Sequence, residues 1–425
     1  MKKTFLTLLI VYAGLSLLFS CDDKNSDIGV IHDPNQPIKI TAFTPDSGGA
    51  RTQMVIDGSN FGSDTSLIRV TFSEKKIPAT IIGANGTSIY CLVPSGQPNG
   101  FNSIYLTVGN KKDSIVDNHF RYVVKEQVSL VTGQPDKGGD KDGSLSTAEF
   151  RRMFAVFSVD GGSLITFGDG NPRLVSIRDN TVVTLQNGVK ILNGCMSKDR
   201  KTVYGITLGH PHALYKYTKE GLWRPELVTP LVNIDKDLFA CTLDDTEKWL
   251  YFYVTLRAEV WKMELANPSN LQKVCNVGSP VGYWGGITYS HFEDCFYIGG
   301  FDLSGVYRIS KDGSKVENFA GFHGFQYKDG LAKDAGIPHP AGITADDEGN
   351  IFFTDVRAGT VRRIDYRTKM VTTIAGQADI HGDKDGAPKE ATFRDTYGIN
   401  IDEANNIYVT SSTDNWGTIR KIAIE

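Results

Sequence analysis

Short runs of alternating apolar and polar residues recur along the chain and predict β-strands. In Ile68–Phe72 apolar and polar positions alternate with a period of two, and Ile104–Val108 has a similar period. This spacing turns one side of a strand towards a core and the other towards solvent. Gly, Asn and Asp bound these runs and favour turns, and long heptad repeats are absent. The pattern therefore predicts an all-β fold.

Residues 37–124 form the first predicted domain. About seven short strands with turn signals between them fit into this segment, which is typical of a β-sandwich. The segments Pro45–Gly49 (PDSGG) and Gly58–Gly62 (GSNFG) lie early in it. With the strands that follow, this pattern resembles the IPT/TIG domain, an immunoglobulin-like module. The resemblance implies a spacer or an interaction platform.

Residues 127–425 contain an internal repeat. Gly342 and Gly398 occupy the same position in two successive units that are 56 residues apart. An earlier copy, offset by 243 residues, aligns Gly133, Asp142 and Phe150 with Gly376, Asp385 and Phe393. A fixed period that contains strand-like segments is the signature of a repeat architecture.

Six small residues mark the predicted inner strands of this repeat, where strands crowd towards a central axis. They are Ala155, Gly194, Ala240, Gly286, Gly342 and Gly398. Six four-stranded blades would close a ring without a free edge. The last two units resemble NHL-repeat propellers in their KDG loops, their Asn-Ile strands and their Arg-containing third strands. The expected architecture is an immunoglobulin-like β-sandwich followed by a six-bladed NHL-type β-propeller.

Ring closure follows from the same alignment. Val128–Val131 occupies the place that Val371–Ile374 holds in the last repeat, namely the outer strand of the preceding blade. Since no blade precedes the first one, we expect this strand to complete the final blade beside Thr418–Ile422, which would remove both edges of the ring.

The N-terminus has the order of a secretory signal. Lys2 and Lys3 precede an apolar run from Phe5 to Phe19, and the small Ser20 lies directly before Cys21. The run is too short for a convincing transmembrane span. The end of this run resembles a bacterial lipobox, which implies a signal peptide over residues 1–20 and lipidation of Cys21. An ordinary cleaved signal is the alternative. Residues 21–36 are polar and read as a linker anchored to the membrane through Cys21.

Charge and cysteine content argue against a nucleic-acid-binding protein and against a zinc site. The net charge of −4 becomes −6 once the predicted signal with Lys2 and Lys3 is removed, which gives no electrostatic footprint for nucleic acid. After Cys21 the chain has Cys91, Cys195, Cys241, Cys275 and Cys295. They form no CxxC pair, which favours buried thiols over a zinc site. One disulfide bridge stays open as an alternative in an oxidising compartment.

The candidate metal ligands in the sequence do not form a recognisable metal site. The loop aspartates Asp140, Asp142, Asp383 and Asp385 suggest calcium, but no Glu follows at the EF-hand spacing, and Asp-Gly is also a simple turn former. The candidate metal-ligating histidines are His210, His212, His323, His339 and His381. They form no symmetrical set at equivalent positions of the repeats. We therefore predict no metal, no cofactor and no catalytic residue.

Aromatic and polar residues gather just before, or at the start of, the predicted inner strands. Long loops of the fifth blade add Phe322, Phe325 and Tyr327. Flat rings at the mouth of a propeller would stack on sugar rings, while the polar side chains would form hydrogen bonds with the sugar hydroxyl groups. The alternative is that these rings pack between blades. The predicted ligand-binding residues are Arg152, Asp237, Tyr283, Trp284, His339, Asp395 and Tyr397.

Three functions from different classes remain open. The first is a ligand-binding lipoprotein, with a glycan as the preferred ligand. Its plan resembles that of accessory proteins of Bacteroidetes polysaccharide-utilisation systems. The acidic pair Asp22-Asp23 resembles the surface-export signal of Bacteroidetes lipoproteins, and a solvated acidic linker is the alternative. The expected location is then the outer membrane, facing outward, with an outer-membrane protein as a possible partner. The second is a protein-interaction scaffold. The third is a lyase or lactonase on the propeller axis.

Overall fold

The chain divides into two compact units, and the boundary falls between Val123 and Val124. The computed structural model describes residues 29–424 except 75, 95–96, 99, 124–125, 161, 208, 210–211, 232–237, 255–256, 279–280 and 323. The predicted signal peptide and Cys21 lie outside the described residues. Within them, no helix is long and apolar enough to cross a membrane.

The first unit is a β-sandwich of two sheets. Its strands are β1 (Lys39–Thr44), β2 (Ser47–Gly48), β3 (Gln53–Ser59), β4 (Ile68–Phe72), β5 (Ile77–Pro78), β6 (Thr80–Ala84), β7 (Ser88–Leu92), β8 (Gly100–Val108) and β9 (Lys111–Tyr122). A single turn of 3₁₀ helix, Thr65–Leu67, precedes β4. One sheet has the order β1-β3-β7-β6 and the other β2-β9-β8-β4-β5.

The period of two in the sequence is visible in the burial of these strands. In β7, Ile89 and Cys91 are buried, whereas Tyr90 between them is 41% exposed. On the other sheet, the long β8 alternates in the same way, with Ile104 and Leu106 buried and Tyr105 between them only partly buried. Apolar burial of this kind is the main stabilising contribution to a sandwich core.

The end of the predicted linker is tied to the sandwich by Asn60. The Asn60 side-chain amide donates to the carbonyl oxygens of Asp33 and Gln36, and its Oδ1 accepts the Asp33 amide. Asn60 has a φ of 61°, a conformation that Asn tolerates better than most residues. The NFG motif therefore fixes the chain at the entrance to the first unit.

The second unit contains six blades, each built on four strands that meander outward from an inner one. Blades 1 to 3 are β11 (Met153–Asp160), β12 (Ser163–Gly168), β13 (Arg173–Ser176), β14 (Thr181–Thr184); β15 (Ile191–Met196), β16 (Thr202–Thr207), β17 (Ala213–Thr218), β18 (Pro225–Pro230); and β19 (Leu238–Leu243), β20 (Trp249–Val254), β21 (Glu259–Glu264), β22 (Asn267–Asn276).

Blades 4 to 6 follow the same order, with one strand of blade 6 supplied from the start of the unit. They are β23 (Gly286–Ser290), β24 (Cys295–Gly299), β25 (Val306–Ser310), β26 (Val316–Ala320); β28 (Pro340–Ala345), β29 (Ile351–Asp355), β30 (Thr360–Ile364), β31 (Met370–Ala375), with the short β27 (Gly330–Leu331) added outside β31; and β32 (Asp395–Ile401), β33 (Ile407–Ser412), β34 (Gly417–Ile424), β10 (Glu126–Thr132). The predicted all-β fold, a sandwich followed by a six-bladed propeller, is confirmed.

The ring closes as the repeat alignment predicts. β10 pairs antiparallel with β34, with Val128 opposite Ile422 and Leu130 opposite Arg420. Blade 6 therefore takes its outer strand from the beginning of the unit and its other three strands from the end. This closure joins the first and last parts of the propeller through backbone hydrogen bonds.

Glycines at the inner strands allow neighbouring blades to approach closely. A Cβ added to Gly342 would lie 2.0 Å from the carbonyl oxygen of Tyr397, and one added to Gly398 would lie 2.7 Å from Ala155 Cα. Both neighbouring atoms belong to the backbone of the next blade. These two positions accept no side chain without a shift of the adjacent strand.

Three buried arginines hold the KDG loops against their blades. Arg173, Arg362 and Arg420 lie in third strands and are at most 1% exposed. Each guanidinium donates to the carbonyl oxygen of the loop lysine and to the carboxylate of the loop aspartate; the pairs are Lys141 and Asp142, Lys328 and Asp329, and Lys384 and Asp385. We call this repeated contact the arginine latch.

The loop aspartates that suggested calcium are engaged by arginines. Asp142 and Asp385 belong to latches. Asp140 accepts from Arg151 Nε at 3.2 Å, and Asp383 accepts from Arg394 Nε at 2.9 Å. These carboxylates hold the loops in place, because charge-assisted hydrogen bonds are stronger than neutral ones.

The five cysteines after Cys21 are buried free thiols, as their spacing predicts. Cys195 and Cys241 lie on the inner strands of adjacent blades, with their sulfur atoms 3.4 Å apart. Burial raises the pKa values of the Cys91, Cys195, Cys275 and Cys295 thiols, which makes them poor nucleophiles.

Candidate functional site

Six of the seven predicted ligand-binding residues, Tyr283 included, lie at the end of the propeller where the inner strands begin, and five of them form one connected group. They are Arg152, Trp284, His339, Asp395 and Tyr397, connected directly or through Phe301. We call the surface formed by Tyr283, Trp284, Phe301, Phe325, His339 and Tyr397 the aromatic face. Asp237 lies outside the described residues.

Trp284 is at the centre of this face. Its ring meets Phe301 edge-on with centroids 5.3 Å apart, and it meets Tyr397 of blade 6 at 6.2 Å. The backbone of Trp284 has a φ of 62°, a strained conformation for a bulky residue. The neighbouring Tyr283 is 45% exposed. Trp284 is therefore half-buried by other rings, and Tyr283 remains at the surface beside it.

Arg152 precedes the inner strand of blade 1 and reaches across the axis to Trp284, which precedes the inner strand of blade 4. Its guanidinium lies 5.9 Å from the Trp284 ring centroid and 5.0 Å from that of Phe154. It pairs with Asp169 at 2.9 Å and with Asp414 at 2.7 Å. Two carboxylates and two aromatic rings thus fix the orientation of this cation.

Asp395 and Tyr397 form a hydrogen-bonded pair at the start of β32. The Tyr397 hydroxyl donates to Asp395 Oδ2 at 3.3 Å. Burial raises the pKa of Asp395, although His381 and Arg357 oppose the shift. Burial and the adjacent Asp395 raise the pKa of the Tyr397 hydroxyl. The Tyr397 hydroxyl therefore stays protonated at neutral pH and acts as a hydrogen-bond donor.

His339 is part of a stack of rings. It lies parallel to Phe301 with centroids 4.6 Å apart, and Phe325 covers it at 5.2 Å. Its Nδ1 contacts the Phe301 carbonyl oxygen at 2.9 Å. The guanidinium of Arg357 lies 5.1 Å from the Phe301 ring centroid. This stack presents Phe325, which is 59% exposed, to solvent.

Two of the other candidate histidines lie within the described residues, and each has contacts of its own. His212 is buried, and its Nδ1 contacts the Thr207 carbonyl oxygen at 2.7 Å. His381 pairs with Phe393 in an isolated bridge, and His210 and His323 lie outside the described residues. No group of three or more His, Cys, Asp or Glu suited to a metal ion occurs within the described ranges.

Sequence reasoning missed Phe301, Arg357, Asp169 and Asp414, which complete this surface. All four follow the second strand of a blade: β24, β29, β12 and β33. Loops after second strands emerge at the same end as the loops that precede inner strands, because the strands of a blade alternate in direction. Aligning both loop types across the repeats would have found these residues.

Aromatic side chains close the propeller axis beneath the aromatic face. Phe154 of blade 1 contacts Phe239 of blade 3 at 5.7 Å and Tyr397 of blade 6 at 5.2 Å, both edge-on. The Phe154–Phe239 contact joins blades that are not neighbours and therefore runs across the axis, whereas Phe154 and Tyr397 belong to blades that are adjacent in the closed ring. All three rings are at most 5% exposed. The packing alternative is therefore correct for Tyr397, whose ring closes the axis and leaves little surface for a ligand.

A cavity of about 450 Å³ lies on the axis at the other end of the inner strands. Its deep part is formed by Phe154 and by inner-strand residues such as Gly286, Gly342 and Gly398. Its rim is formed where these strands end and turn into the second strands. We call this cavity the axial funnel; no sequence motif pointed to it.

Comparison with known proteins identifies both units. The IPT/TIG domain model matches residues 37–122. The human NHL repeat-containing protein 2 is 26% identical over 129 residues, which is 28% of this chain. The chain spans only 18% of that relative's length.

Two solved structures from Bacteroides thetaiotaomicron cover nearly the whole chain. One is a structural genomics protein of unknown function, 31% identical, with a TM-score of 0.82, covering 93% of this chain and all of that one. The other is an auxiliary nutrient binding protein, 22% identical, with a TM-score of 0.59, covering 92% of this chain and 99% of that one. The second likeness shows the fold alone. This chain therefore belongs to the same protein family as the Bacteroides thetaiotaomicron protein of unknown function, and its two units are an IPT/TIG domain and an NHL-repeat β-propeller.

Proposed function

We propose that this protein is a lipid-anchored, surface-exposed protein of the outer membrane that binds a glycan on the aromatic face of its propeller. The observation that carries the proposal is the set of exposed rings around Trp284. Tyr283, next to Trp284 in the chain, is 45% exposed, and Phe325, which covers His339, is 59% exposed. Exposed large apolar groups gathered at one site are typical of binding surfaces.

The polar groups beside these rings suit a sugar. Arg152 and Asp395 lie next to the Trp284 and Tyr397 rings, so hydroxyl groups of a stacked sugar would find both donors and acceptors. Because the axis is closed beneath them, the ligand would lie across this surface. A surface without a deep cavity suits an extended oligosaccharide better than a small molecule, because small-molecule sites are concave. The nutrient-binding relative of similar fold supports a role in ligand capture.

Trp284→Ala is expected to weaken glycan binding by about thirtyfold, since truncation of an aromatic anchor typically costs about 2 kcal/mol. A glycan array with the full chain would identify the ligand, and isothermal titration calorimetry would then measure its affinity for the variant. Circular dichroism and a melting curve establish that the variant is folded, because Trp284 also packs against Phe301 and Tyr397.

Phe292→Ala is the matched control. Phe292 is 51% exposed but follows an inner strand, at the far end of the propeller, where it packs against Tyr366. Its removal should leave glycan affinity unchanged. Unchanged affinity in a folded Trp284→Ala variant would move the site away from the aromatic face. An array without any bound glycan would favour the protein-scaffold function instead.

Lipid anchoring is tested by Cys21→Ala. The substitution removes the thiol that would carry the acyl chains, each buried methylene of which contributes about 0.8 kcal/mol to membrane binding. We expect the variant to leave the membrane fraction while its melting temperature stays unchanged. Fractionation measures whether the protein stays with the membrane, and mass spectrometry of the N-terminal peptide measures whether it carries fatty acid. A melting curve compares the stability of the variant with that of the wild type. A mature wild-type protein that begins elsewhere and carries no fatty acid would refute the anchor.

A further inference from the structure

The axial funnel is a closed-ended pocket on the propeller axis. Its closed end is the packed ring cluster of Phe154, Phe239 and Tyr397. At its open end stand exposed side chains such as Glu403, which is 80% exposed. The volume of about 450 Å³ lies within the range of small-molecule sites. A ligand can therefore enter from one end only, the end opposite to the aromatic face.

The wall of the funnel offers many hydrogen-bonding groups. Each inner strand lies at the end of its sheet and pairs on one side only, so its other edge carries backbone donors and acceptors that no neighbouring strand satisfies. Side chains engage some of them, such as the Tyr289 amide and the Ile401 carbonyl oxygen. The half-buried side chains of Thr288 and Thr344 add hydroxyl groups to this wall. Within the described residues, neither hydroxyl has a hydrogen-bond partner in the protein. Such a wall suits a ligand rich in hydroxyl groups.

Negative charge dominates the rim. The lining contains six carboxylates, from Asp244, Glu247, Asp346, Asp347, Asp402 and Glu403, but only two cations, from Lys198 and Arg200. Burial and nearby Lys198 lower the pKa of His291, which keeps this imidazole neutral at neutral pH.

Internal ion pairs account for only part of this charge. Asp244 lies 3.7 Å from Lys311 Nζ, and Glu403 lies 4.0 Å from Arg200 Nε. In the part of the chain that the structure describes, the other four carboxylates have no ion pair. Like charges at the neck of a low-dielectric cavity focus the field on whatever enters it. The rim therefore attracts cations and repels anions.

We propose that the axial funnel binds a small polyhydroxylated ligand that carries a positive charge, the chemical class of the amino sugars. The hydroxyl groups of the ligand meet Thr288, Thr344 and the free strand edges, and its ammonium group lies among the rim carboxylates. This site is separate from the aromatic face and does not depend on glycan binding there.

Three related sugars test the proposal. Glucosamine, glucose and glucuronate share one ring size but differ in charge, so their affinities for the full chain separate the effect of charge from that of hydroxyl groups. We expect glucosamine to bind about tenfold more tightly than glucose, which corresponds to about 1.4 kcal/mol, and glucuronate to show no saturable binding. Saturation-transfer NMR titrations measure weak affinities of this kind. Absence of saturable glucosamine binding, or glucuronate binding of equal strength, would overturn the proposal.

Two variants locate the bound sugar. Thr344→Val removes one hydroxyl with little change in shape and should weaken both glucosamine and glucose about fivefold. Asp347→Asn removes one rim charge and should weaken glucosamine alone. Asp379→Asn, an exposed aspartate near the other end, is the charge control, and Trp284→Ala is the control for the aromatic face; both should leave glucosamine affinity unchanged. Unchanged glucosamine affinity in both funnel variants would place the sugar elsewhere.

Discussion

Arg362→Ala is expected to destabilise the propeller by about 3–5 kcal/mol, the usual consequence of removing one partner from a buried ion pair. The Arg362 guanidinium is fully buried and donates to the carbonyl oxygens of Gly336 and Lys328 and to the Asp329 carboxylate. It also lies 3.5 Å from Asp355, which is itself fully buried. Alanine at position 362 leaves these acceptors without their donor and opens a cavity the size of the side chain.

Arg363→Ala is the matched control for this latch. Arg363 is the next residue of β30, but its side chain is 38% exposed and its ion pair with Asp365 spans 3.6 Å. Surface pairs of this kind contribute about 1 kcal/mol or less. Equilibrium unfolding in urea would measure the free energy of unfolding of both variants. Equal and small losses would show that the arginine latch does not stabilise the blade.

The loss caused by Arg362→Ala should depend on pH. Burial raises the pKa of Asp355 to about 6, and Arg362 opposes this shift. Without Arg362 the pKa of Asp355 rises further, so the folded variant holds this proton at a pH where the unfolded chain releases it. Such a group lowers stability as the pH rises from the unfolded pKa to above the folded one. The difference between variant and wild type should therefore be smaller at pH 4 than at pH 8.

For the arginine latch, the repeat pattern in the sequence predicted which loops are equivalent but not which residues they contact. The alignment of Asp142 with Asp385 predicted that the two KDG loops are equivalent, and the ring closure at Val128 followed from the same offset. The partner of each aspartate was not predicted, because Arg173 and Arg420 lie more than 30 residues from their loops and contact them only after the blade has folded. Spacing in the sequence carries no information about such a contact.

The candidate site, like the arginine latch, was predicted only in part from the sequence. Equivalent positions before the inner strands brought Arg152, Trp284 and His339 to one surface. The burial of Tyr397 was not predicted, because it depends on Phe154 of the adjacent blade, which packs against Tyr397 and, across the axis, against Phe239. The axial funnel had no sequence signal, since its wall consists largely of backbone edges and short side chains. A cavity of this kind is a property of the closed ring rather than of any motif.

Gly342→Ala is expected to cost about 3 kcal/mol, at the upper end for overpacking, because the added methyl group meets backbone that has little freedom to move. The Cβ would lie 2.0 Å from the Tyr397 carbonyl oxygen and 3.1 Å from the Ile399 amide nitrogen. The Tyr397 ring also packs against Phe154 and Trp284, so a shift of this strand would disturb the closed end of the axis.

Gly83→Ala separates the effect of crowding from that of the substitution itself. Gly83 lies in β6 of the sandwich, and an added Cβ there has nothing within 4 Å. Its replacement should leave stability unchanged or raise it by less than about 1 kcal/mol through lower entropy of the unfolded chain. Differential scanning calorimetry would follow the two units separately, with the Gly342 variant lowering only the propeller transition. A propeller transition that is unchanged in Gly342→Ala would mean that blades 5 and 6 can separate at the axis, and the close approach of their inner strands would then not be needed for the closed ring.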